Sequence, residues 1–378
     1  MVVLIFILVL SVLVIIHELG HFLLAKKHGI QVDEFGIGYP PRFLKLFTWR
    51  GTLFSLNAIP FGGFVQMKGE EGEDPSQSGE QVISKPQKDA FYQKSLSAKL
   101  QVTLAGIVFN LIFGVLSFAV IFSNLGIPEP LFDQVRLSMV QEGSPAAAAG
   151  LRENTNILAL YSDGQWLEVK NITQVQEFVA AHLGQTVGVK TTLSCMESSC
   201  PAESTYHELY LRTKEETPEN EGAMGVQFQE TIYKKYPWYK MIFYSVWHGL
   251  QQSLALSMLI LQTLGQLVTD LFQGKQIDGA VAGPIGIVDQ VQRYGLFEGG
   301  WLSILNFAAL LSVNLAIMNL LPIPALDGGR VVLLIVEKIF KRQRVEKIAR
   351  YLNYAGYIFL LSLMVLVSFN DIRNIFIR

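Results

Sequence analysis

The sequence predicts an α-helical polytopic membrane protein with four transmembrane helices, a membrane-associated β-hairpin and one inserted α+β domain. Half of the 378 residues are hydrophobic and only 16% are charged. Mean hydropathy is positive, at +0.33, and several apolar stretches approach the roughly 20 residues that a helix needs to span a bilayer. The rest of the chain accommodates one soluble domain of about 100 residues. The net charge of −2 gives no general attraction for nucleic acid.

The first predicted span, residues 2–25, contains the pentapeptide His-Glu-Leu-Gly-His at positions 17–21. Two histidines four residues apart share one helix face, and Glu18 lies beside them. This H-E-x-x-H pattern is typical of zinc sites, in which the imidazoles bind the metal and the carboxylate acts on its water. Ionisable side chains are costly within a membrane, so the context favours a metal site over an ordinary helix surface or a cleaved signal peptide.

Charge and hydropathy orient the rest of the N-terminal membrane half, residues 1–125. Lysine and arginine follow the first span and indicate the cytoplasmic side, so the N-terminus is predicted to lie outside. Residues 51–68 predict an apolar β-hairpin with a turn at 60–63. This hairpin is either a structural flap or a sheet edge that pairs with an extended substrate. The acidic, polar stretch 69–89 predicts a mobile loop.

A second span is predicted at residues 100–125, returning outward. It contains the small pair Ala105-Gly106, which permits close helix packing. Asn110 in the same span favours a hydrogen bond between helices over a role in a site.

Residues 130–230 predict a soluble α+β domain on the extracytoplasmic side. Gly-Ser-Pro-Ala at 143–146 resembles a PDZ domain of the bacterial protease type, in which this sequence precedes a short helix. Strand patterns and one helical pattern follow at 187–193, 208–211 and 174–183. Cys195 and Cys200 are close enough in sequence to clasp a small hairpin in an oxidising compartment.

The third region, residues 235–298, predicts an amphipathic helix at 242–272 and a re-entrant or surface loop at 279–286. Two cleaner spans follow in the C-terminal membrane half, residues 299–378, at 301–321 and 351–369. The basic residues from Lys338 to Arg350 indicate a cytoplasmic loop between them. Since the soluble domain is outside and this loop inside, an odd number of crossings separates them. The helix at 242–272 therefore lies at the outer interface or dips into it.

Asp327 falls at the cytoplasmic end of its span, at the depth predicted for His17 and His21. Catalytic zinc takes three protein ligands and leaves one position for water. Pro322 and Pro324 cannot continue a helix, so the chain unwinds just before Asp327 and lets its carboxylate turn inward. The depth and side favour Asp327 as the third ligand over a simple helix cap.

Two motifs together carry a family resemblance. H-E-x-x-H in one span and N-x-x-P-x-P-x-L-D-G at residues 319–328 resemble the site-2 protease family of intramembrane zinc metalloproteases. The order of spans, hairpin and PDZ-like domain resembles its bacterial branch, the regulator of sigma-E protease. The resemblance implies that His17, His21 and Asp327 bind zinc. It also implies that Glu18 is the general base and acid for a zinc-bound water.

Two asparagines precede the third ligand, and their amides have two interpretations. Asn314 and Asn319 either join helices or hold the backbone of an extended substrate. The resemblance favours substrate binding for Asn319 and, less directly, for Asn314. The implied substrate is the transmembrane segment of a single-span protein, such as an anti-sigma factor or a remnant signal peptide.

The implied location is a bacterial inner membrane, with the PDZ-like domain periplasmic and the active site near the cytoplasmic side. Two alternatives from other classes remain at this point. A membrane protein that handles or transports metal would use the same His and Asp ligands without needing an adjacent base. A PDZ scaffold with a degenerate membrane anchor would bind no zinc.

Overall fold

The structure is a computed structural model that describes residues 1–70, 88–131, 134–193, 204–218, 221–274, 283–340 and 342–377. It divides the chain into two compact units. Residues 1–124 and 238–378 form one unit, and residues 125–237 form the other. The predicted mobile loop at 69–89 falls largely outside the described residues, as do Cys195 and Cys200.

The described chain folds as helices, then a β-rich segment, then helices again. The first block comprises α1 (Val2–Lys27), β1 (Val32–Trp49), β2 (Thr52–Met67) and α2 (Leu96–Leu125). The second comprises β3 (Ile127–Pro130), β4 (Val135–Val140), α3 (Pro145–Ala148), β5 (Thr155–Ser162), β6 (Gln165–Glu168), α4 (Ile172–Ala181), β7 (Thr186–Leu193), β8 (Ser204–Tyr210), β9 (Val226–Gln229) and β10 (Thr231–Lys234). The third comprises α5 (Trp238–Phe272), α6 (Pro284–Arg293), α7 (Trp301–Leu320), α8 (Asp327–Ile339) and α9 (Arg342–Ile377).

Four of the described helices are long and apolar enough to cross a membrane. They are α1, α2, α7 and the part of α9 from Ile348 to Phe376. The prediction of a polytopic helical membrane protein with four spans is thereby confirmed at the level of length and composition. Each of these helices forms from an apolar run of residues. Its backbone groups bond to one another within the helix, because the lipid core offers them no other hydrogen-bond partners.

Small residues set the spacing between α1 and α2. A Cβ atom on Gly20 would lie 2.6 Å from the carbonyl oxygen of Ala105, so only glycine allows this approach. Farther along α2, a Cβ atom on Gly114 would lie 2.7 Å from Val313 of α7. Close backbone approach through small residues is how membrane helices gain packing energy without a hydrophobic driving force.

The strands β1 and β2 pair with each other in more than one place and form one small sheet. Residues 32–37 of β1 pair with residues 63–67 of β2 on one side and with residues 53–56 of β2 on the other. Residues 42–49 of β1 pair with residues 52–57 of β2. In the described pairings, the segment 63–67 therefore forms an edge of the sheet.

The predicted turn of this hairpin is in the wrong place. The two strands reverse at Arg50 and Gly51, whose φ angles are 48° and 76°. Positive φ at both central residues is typical of a two-residue hairpin turn. The sequence concealed it because arginine is not among the residues that favour that conformation. Residues 60–63, where the turn was predicted, lie within β2.

The second unit is β-rich and has its own apolar core. Its main sheet has the order β8-β7-β5-β4-β9, with β6 paired to β5, and β3 pairs with β10. Asn171 caps α4 by accepting a 2.9 Å hydrogen bond from the backbone N–H of Gln174. The predicted helix at 174–183 corresponds to α4, and the strands predicted at 187–193 and 208–211 correspond to β7 and β8. The core includes Val135, Leu137, Ile157, Leu160, Val175, Val189 and Leu209.

The region after the second unit returns to the membrane helices. The long helix α5 packs along α2 and α7. A Cβ atom on Gly249 would lie 2.6 Å from the carbonyl oxygen of Val115, and Leu256 and Ile260 pack against the cluster that α2 and α7 form. It is not among the four span candidates of the described chain. The sequence predicts that this helix lies at the outer interface or dips into the membrane, and that placement stays a prediction.

The loop predicted at 279–286 is partly wrong. Residues 275–282 lie outside the described residues, but Pro284 to Gly286 form the first turn of α6. Asp371 of α9 accepts hydrogen bonds from the backbone N–H groups of Gly283 (3.2 Å) and Gly286 (2.9 Å). A carboxylate at a helix N-terminus stabilises the helix, and this one comes from a distant part of the chain. The Gly-Pro-rich sequence alone therefore did not indicate the helix.

Candidate metal centre

The first half of the site is one turn of α1. His17 and His21 are both buried, and their rings meet edge to face with centroids 4.8 Å apart. Their Nε2 atoms are 3.2 Å apart. The helical spacing of four residues puts both imidazoles on one face, as the sequence predicted.

The second half comes from the junction between α7 and α8. The helix α7 ends at Leu320, and Pro322 and Pro324 lie in the non-helical link before Asp327, the first residue of α8. A Cβ atom on Gly328 would lie 2.2 Å from the carbonyl oxygen of Leu320, so this tight return requires glycine. The prolines stop one helix and the glycine lets the next one begin close beside it.

This junction brings the Asp327 carboxylate to the two histidines. Its Oδ2 atom lies 3.0 Å from Nε2 of His17 and 3.4 Å from Nε2 of His21. All three candidate ligand atoms lie within 4.8 Å of one another. The sequence predicted these three residues as a set, and the structure places them together.

The donor set fits a zinc ion. Within the described chain, the buried Oδ2 atom of Asp327 has no hydrogen-bond partner. Nδ1 of His21 lies 2.8 Å from the carbonyl oxygen of Val102, which can only accept, so this nitrogen carries the proton. Nε2 of His21 then directs a lone pair toward the carboxylate. Lone pairs that converge in a buried place call for a cation, and two imidazoles with a carboxylate are ligands that catalytic zinc uses.

The helix α2 makes room for the histidine rings. A Cβ atom on Gly106 would lie 2.5 Å from Nε2 of His21 and 2.6 Å from Cε1 of His17. One turn later, Nδ2 of the fully buried Asn110 lies 3.3 Å from Nδ1 of His17. Sequence reasoning treated both residues as helix packing. Their spacing of four residues, matching that of the histidines, is the signal that could have indicated a shared face.

Glu18 points to a different neighbour from the histidines. It is half-buried, and a Cβ atom on Gly63 would lie 3.5 Å from its Cγ atom and 3.8 Å from Val14. Gly63 begins the segment 63–67 that forms the edge of the small sheet. The structure therefore puts a carboxylate next to a strand edge, immediately beside the histidine pair.

The two asparagines of α7 stand apart from this cluster. Asn319 is half-buried and Asn314 is exposed. Among the described residues, no hydrogen bond joins either amide to His17, His21 or Asp327. Their predicted role in substrate binding stays a prediction.

The comparison with known protein families decides the class of this centre. The model of peptidase family M50 matches residues 5–363, almost the whole chain. The chain belongs to peptidase family M50, the site-2 protease family. The resemblance drawn from the paired sequence motifs is thereby confirmed.

Relatives of this M50 peptidase share its full length. A protein of Streptococcus pyogenes serotype M1 is 27% identical over 98% of both chains. A protein of Clostridium acetobutylicum is 28% identical over 97% of this chain and 96% of its own. A protein of Campylobacter jejuni is 28% identical over 98% of this chain and 92% of its own. Each bears the name "Putative zinc metalloprotease".

The M50 peptidase is thus a zinc metalloprotease embedded in a membrane. Zinc is its cofactor, as the sequence predicted. The alternatives of a metal transporter and of a zinc-free scaffold lose their support, because neither accounts for membership in a peptidase family.

Proposed function

We propose that this peptidase cleaves the transmembrane segment of single-span membrane proteins. In this proposal His17, His21 and Asp327 hold the zinc ion, and Glu18 is the general base and acid. The observation that carries it is the convergence of the three ligand atoms within 4.8 Å in a buried site. Glu18 lies on the same helical turn as His17 and His21, next to a strand edge.

The division of labour follows from the chemistry of each group. Bound zinc supplies a Lewis acid that polarises the scissile carbonyl and lowers the pKa of water to about 7. Glu18 accepts a proton from the attacking water and returns it to the nitrogen of the leaving amine. His17, His21 and Asp327 fix the metal on a helix and a helix terminus, which are rigid supports for a catalytic geometry.

The edge of the small sheet can pair with the backbone of a substrate helix that has unwound. A peptide bond within a helix is shielded, because its carbonyl is already hydrogen-bonded and covered. Once the helix opens in lipid, its backbone groups need new partners. In the described pairings the segment 63–67 is a strand edge beside Glu18, and addition of a strand there would satisfy the substrate backbone. Asn319 and Asn314 are further candidate partners for that backbone.

This delivery route predicts the kind of substrate. Segments with helix-weakening residues near the cleavage site open at lower cost and are therefore cut preferentially. We propose an anti-sigma factor or a remnant signal peptide as the natural substrate class. We place the enzyme in a bacterial inner membrane, with the metal centre toward the cytoplasmic side.

We also propose that the β-rich unit is a PDZ-like domain on the periplasmic side, with limits near 130–230. The membrane halves are then residues 1–125 and 299–378, with the connecting region 235–298 at the outer interface. The six-stranded sheet and the capped helix α4 support this assignment. Such a domain would restrict entry to substrates that have already lost their outer part.

The variant Glu18→Gln tests the assignment of the general base. It removes the proton acceptor while keeping nearly the same shape, so we expect zinc to remain bound while cleavage is abolished. Purified enzyme in lipid vesicles is given a tagged single-span substrate, with cleavage followed by gel and zinc measured by elemental analysis. Glu153→Gln, an exposed change in the β-rich unit, is the matched control. Normal cleavage by Glu18→Gln would remove Glu18 from the mechanism.

A further inference from the structure

We propose that Asn110 is a positioning residue for His17, and that it holds the imidazole in the form that carries its proton on Nδ1. This inference rests on the proposed zinc site, since it concerns how one ligand presents its Nε2 lone pair. Three helices contribute to this arrangement. His17 lies on α1, Asn110 lies on α2, and a residue of α7 hydrogen-bonds to the backbone of Asn110.

The surroundings of Asn110 indicate a specific task. The residue is fully buried, with 0% of its surface exposed. Its backbone oxygen accepts a 2.8 Å hydrogen bond from Oγ of Ser312 on α7, which ties this turn of α2 to its neighbour. Its side-chain amide extends toward α1, where Nδ2 lies 3.3 Å from Nδ1 of His17.

The orientation of the amide follows from the chemistry of the ligand. Oδ1 of Asn110 is buried and, among the described residues, has no hydrogen-bond partner. An amide can turn by 180° about its last bond without changing its shape, which exchanges the oxygen and the nitrogen. With the oxygen toward His17, Oδ1 accepts a hydrogen bond from the Nδ1–H group of the ring. The orphaned oxygen gains its donor, and Nε2 of His17 is left with a lone pair for the metal.

His21 shows the same arrangement with a backbone partner. Its Nδ1 atom faces the carbonyl oxygen of Val102, at 2.8 Å, on the same helix α2. Outer partners of this kind fix the ring orientation of metal-bound histidines and raise their basicity. The two histidines thus each have an outer acceptor from α2. Only the acceptor for His17 is a side chain, so only that one can be removed by substitution.

The test measures zinc affinity rather than turnover alone. Asn110→Leu keeps most of the volume and removes the acceptor, and we expect the dissociation constant for zinc to rise about 10- to 100-fold in competition with a chelator. Asn110→Asp restores an acceptor and should recover affinity to within several-fold of the wild type. Ser117→Ala removes a buried polar group elsewhere on α2 and is the control, with affinity unchanged.

The spectrum of the cobalt-substituted protein provides a second readout. Asn110→Leu should shift its visible absorption because His17 is no longer held in one orientation, whereas Ser117→Ala should not. If Asn110 had a purely structural role, Asn110→Leu would lower the unfolding temperature of the metal-free protein and leave both the zinc affinity and the cobalt spectrum unchanged. That result would overturn the inference, and so would failure of the Asp variant to recover affinity.

A further variant separates this inference from the proposed site. His21→Ala removes a proposed ligand and should abolish tight zinc binding. If His21→Ala loses zinc while Asn110→Leu binds it normally, Asn110 has no positioning role and the site stands. If His21→Ala still binds zinc tightly, the proposed site itself is wrong.

Discussion

Gly106 is the position where a single added carbon should disturb the metal centre most directly. In Gly106→Ala the new Cβ atom would lie 2.5 Å from Nε2 of His21 and 2.6 Å from Cε1 of His17. Ordinary contacts begin at 3.4 Å, so the rings or the helix must move by nearly 1 Å. The nearest atom is a proposed ligand nitrogen, so this movement falls on the metal geometry itself.

The expected effect has two parts of different size. Overpacking a buried position costs about 1–3 kcal/mol of stability. A misplacement of about 1 Å at a reacting centre can lower the rate about 100-fold. We therefore expect Gly106→Ala to lose about two orders of magnitude in cleavage of a tagged single-span substrate, together with weaker zinc binding.

The matched control is Gly114→Ala on the same helix. Its Cβ atom would lie 2.7 Å from a methyl carbon of Val313, a similar degree of overpacking at a position outside the metal cluster. It should lower the unfolding temperature while leaving zinc affinity near that of the wild type. If Gly106→Ala cleaves substrate and binds zinc within twofold of the wild type, the described approach of α2 to the histidines is wrong.

Two further predictions concern parts of the fold away from the metal. Asp371→Asn removes the charge that caps α6 at Gly283 and Gly286, and should cost about 1–2 kcal/mol in thermal unfolding. Asp289→Asn removes only a 2.9 Å ion pair with Arg293 within α6, and an equal loss in that variant would contradict the prediction. The hydrogen bond from Arg42, together with one from Ser55, holds the pKa of Glu34 below its ordinary value despite burial. The stabilisation by ionised Glu34 is therefore present at neutral pH and is lost as the pH falls below the ordinary pKa of a glutamate. Glu34→Gln should accordingly flatten the plot of unfolding temperature against pH between about pH 5 and pH 3. An unchanged plot would contradict this prediction.

The strands of the small sheet could be predicted from the sequence only in part. An apolar β-hairpin was expected at 51–68, and strands do occupy that stretch. Its partner, however, is β1, which begins at Val32 and pairs with both ends of β2. Sequence patterns describe which residues favour strands, but pairing between distant segments depends on tertiary contacts. The edge beside Glu18 could be described only once that pairing was known.

The residues of the metal centre also differ in how far the sequence predicted them. His17, Glu18 and His21 could be singled out because H-E-x-x-H is a local motif in an apolar run where charges are costly. Asp327 could be added because topology and the prolines before it predicted its depth. The contributions of α2 were missed, because a small residue and a lone asparagine are common in helix packing, and their four-residue spacing gains meaning only beside the two histidines.

The sequence by itself determined the class of the protein and the number of its span candidates. Hydropathy, charge asymmetry and short motifs are local properties, and the lipid solvent leaves helices few alternatives. The tertiary structure alone decided which atoms meet: Oδ2 of Asp327 with the two Nε2 atoms, Gly106 under the rings, and Asn110 behind His17. These meetings depend on how closely α1, α2 and α7 approach, and that spacing results from packing among residues far apart in the chain.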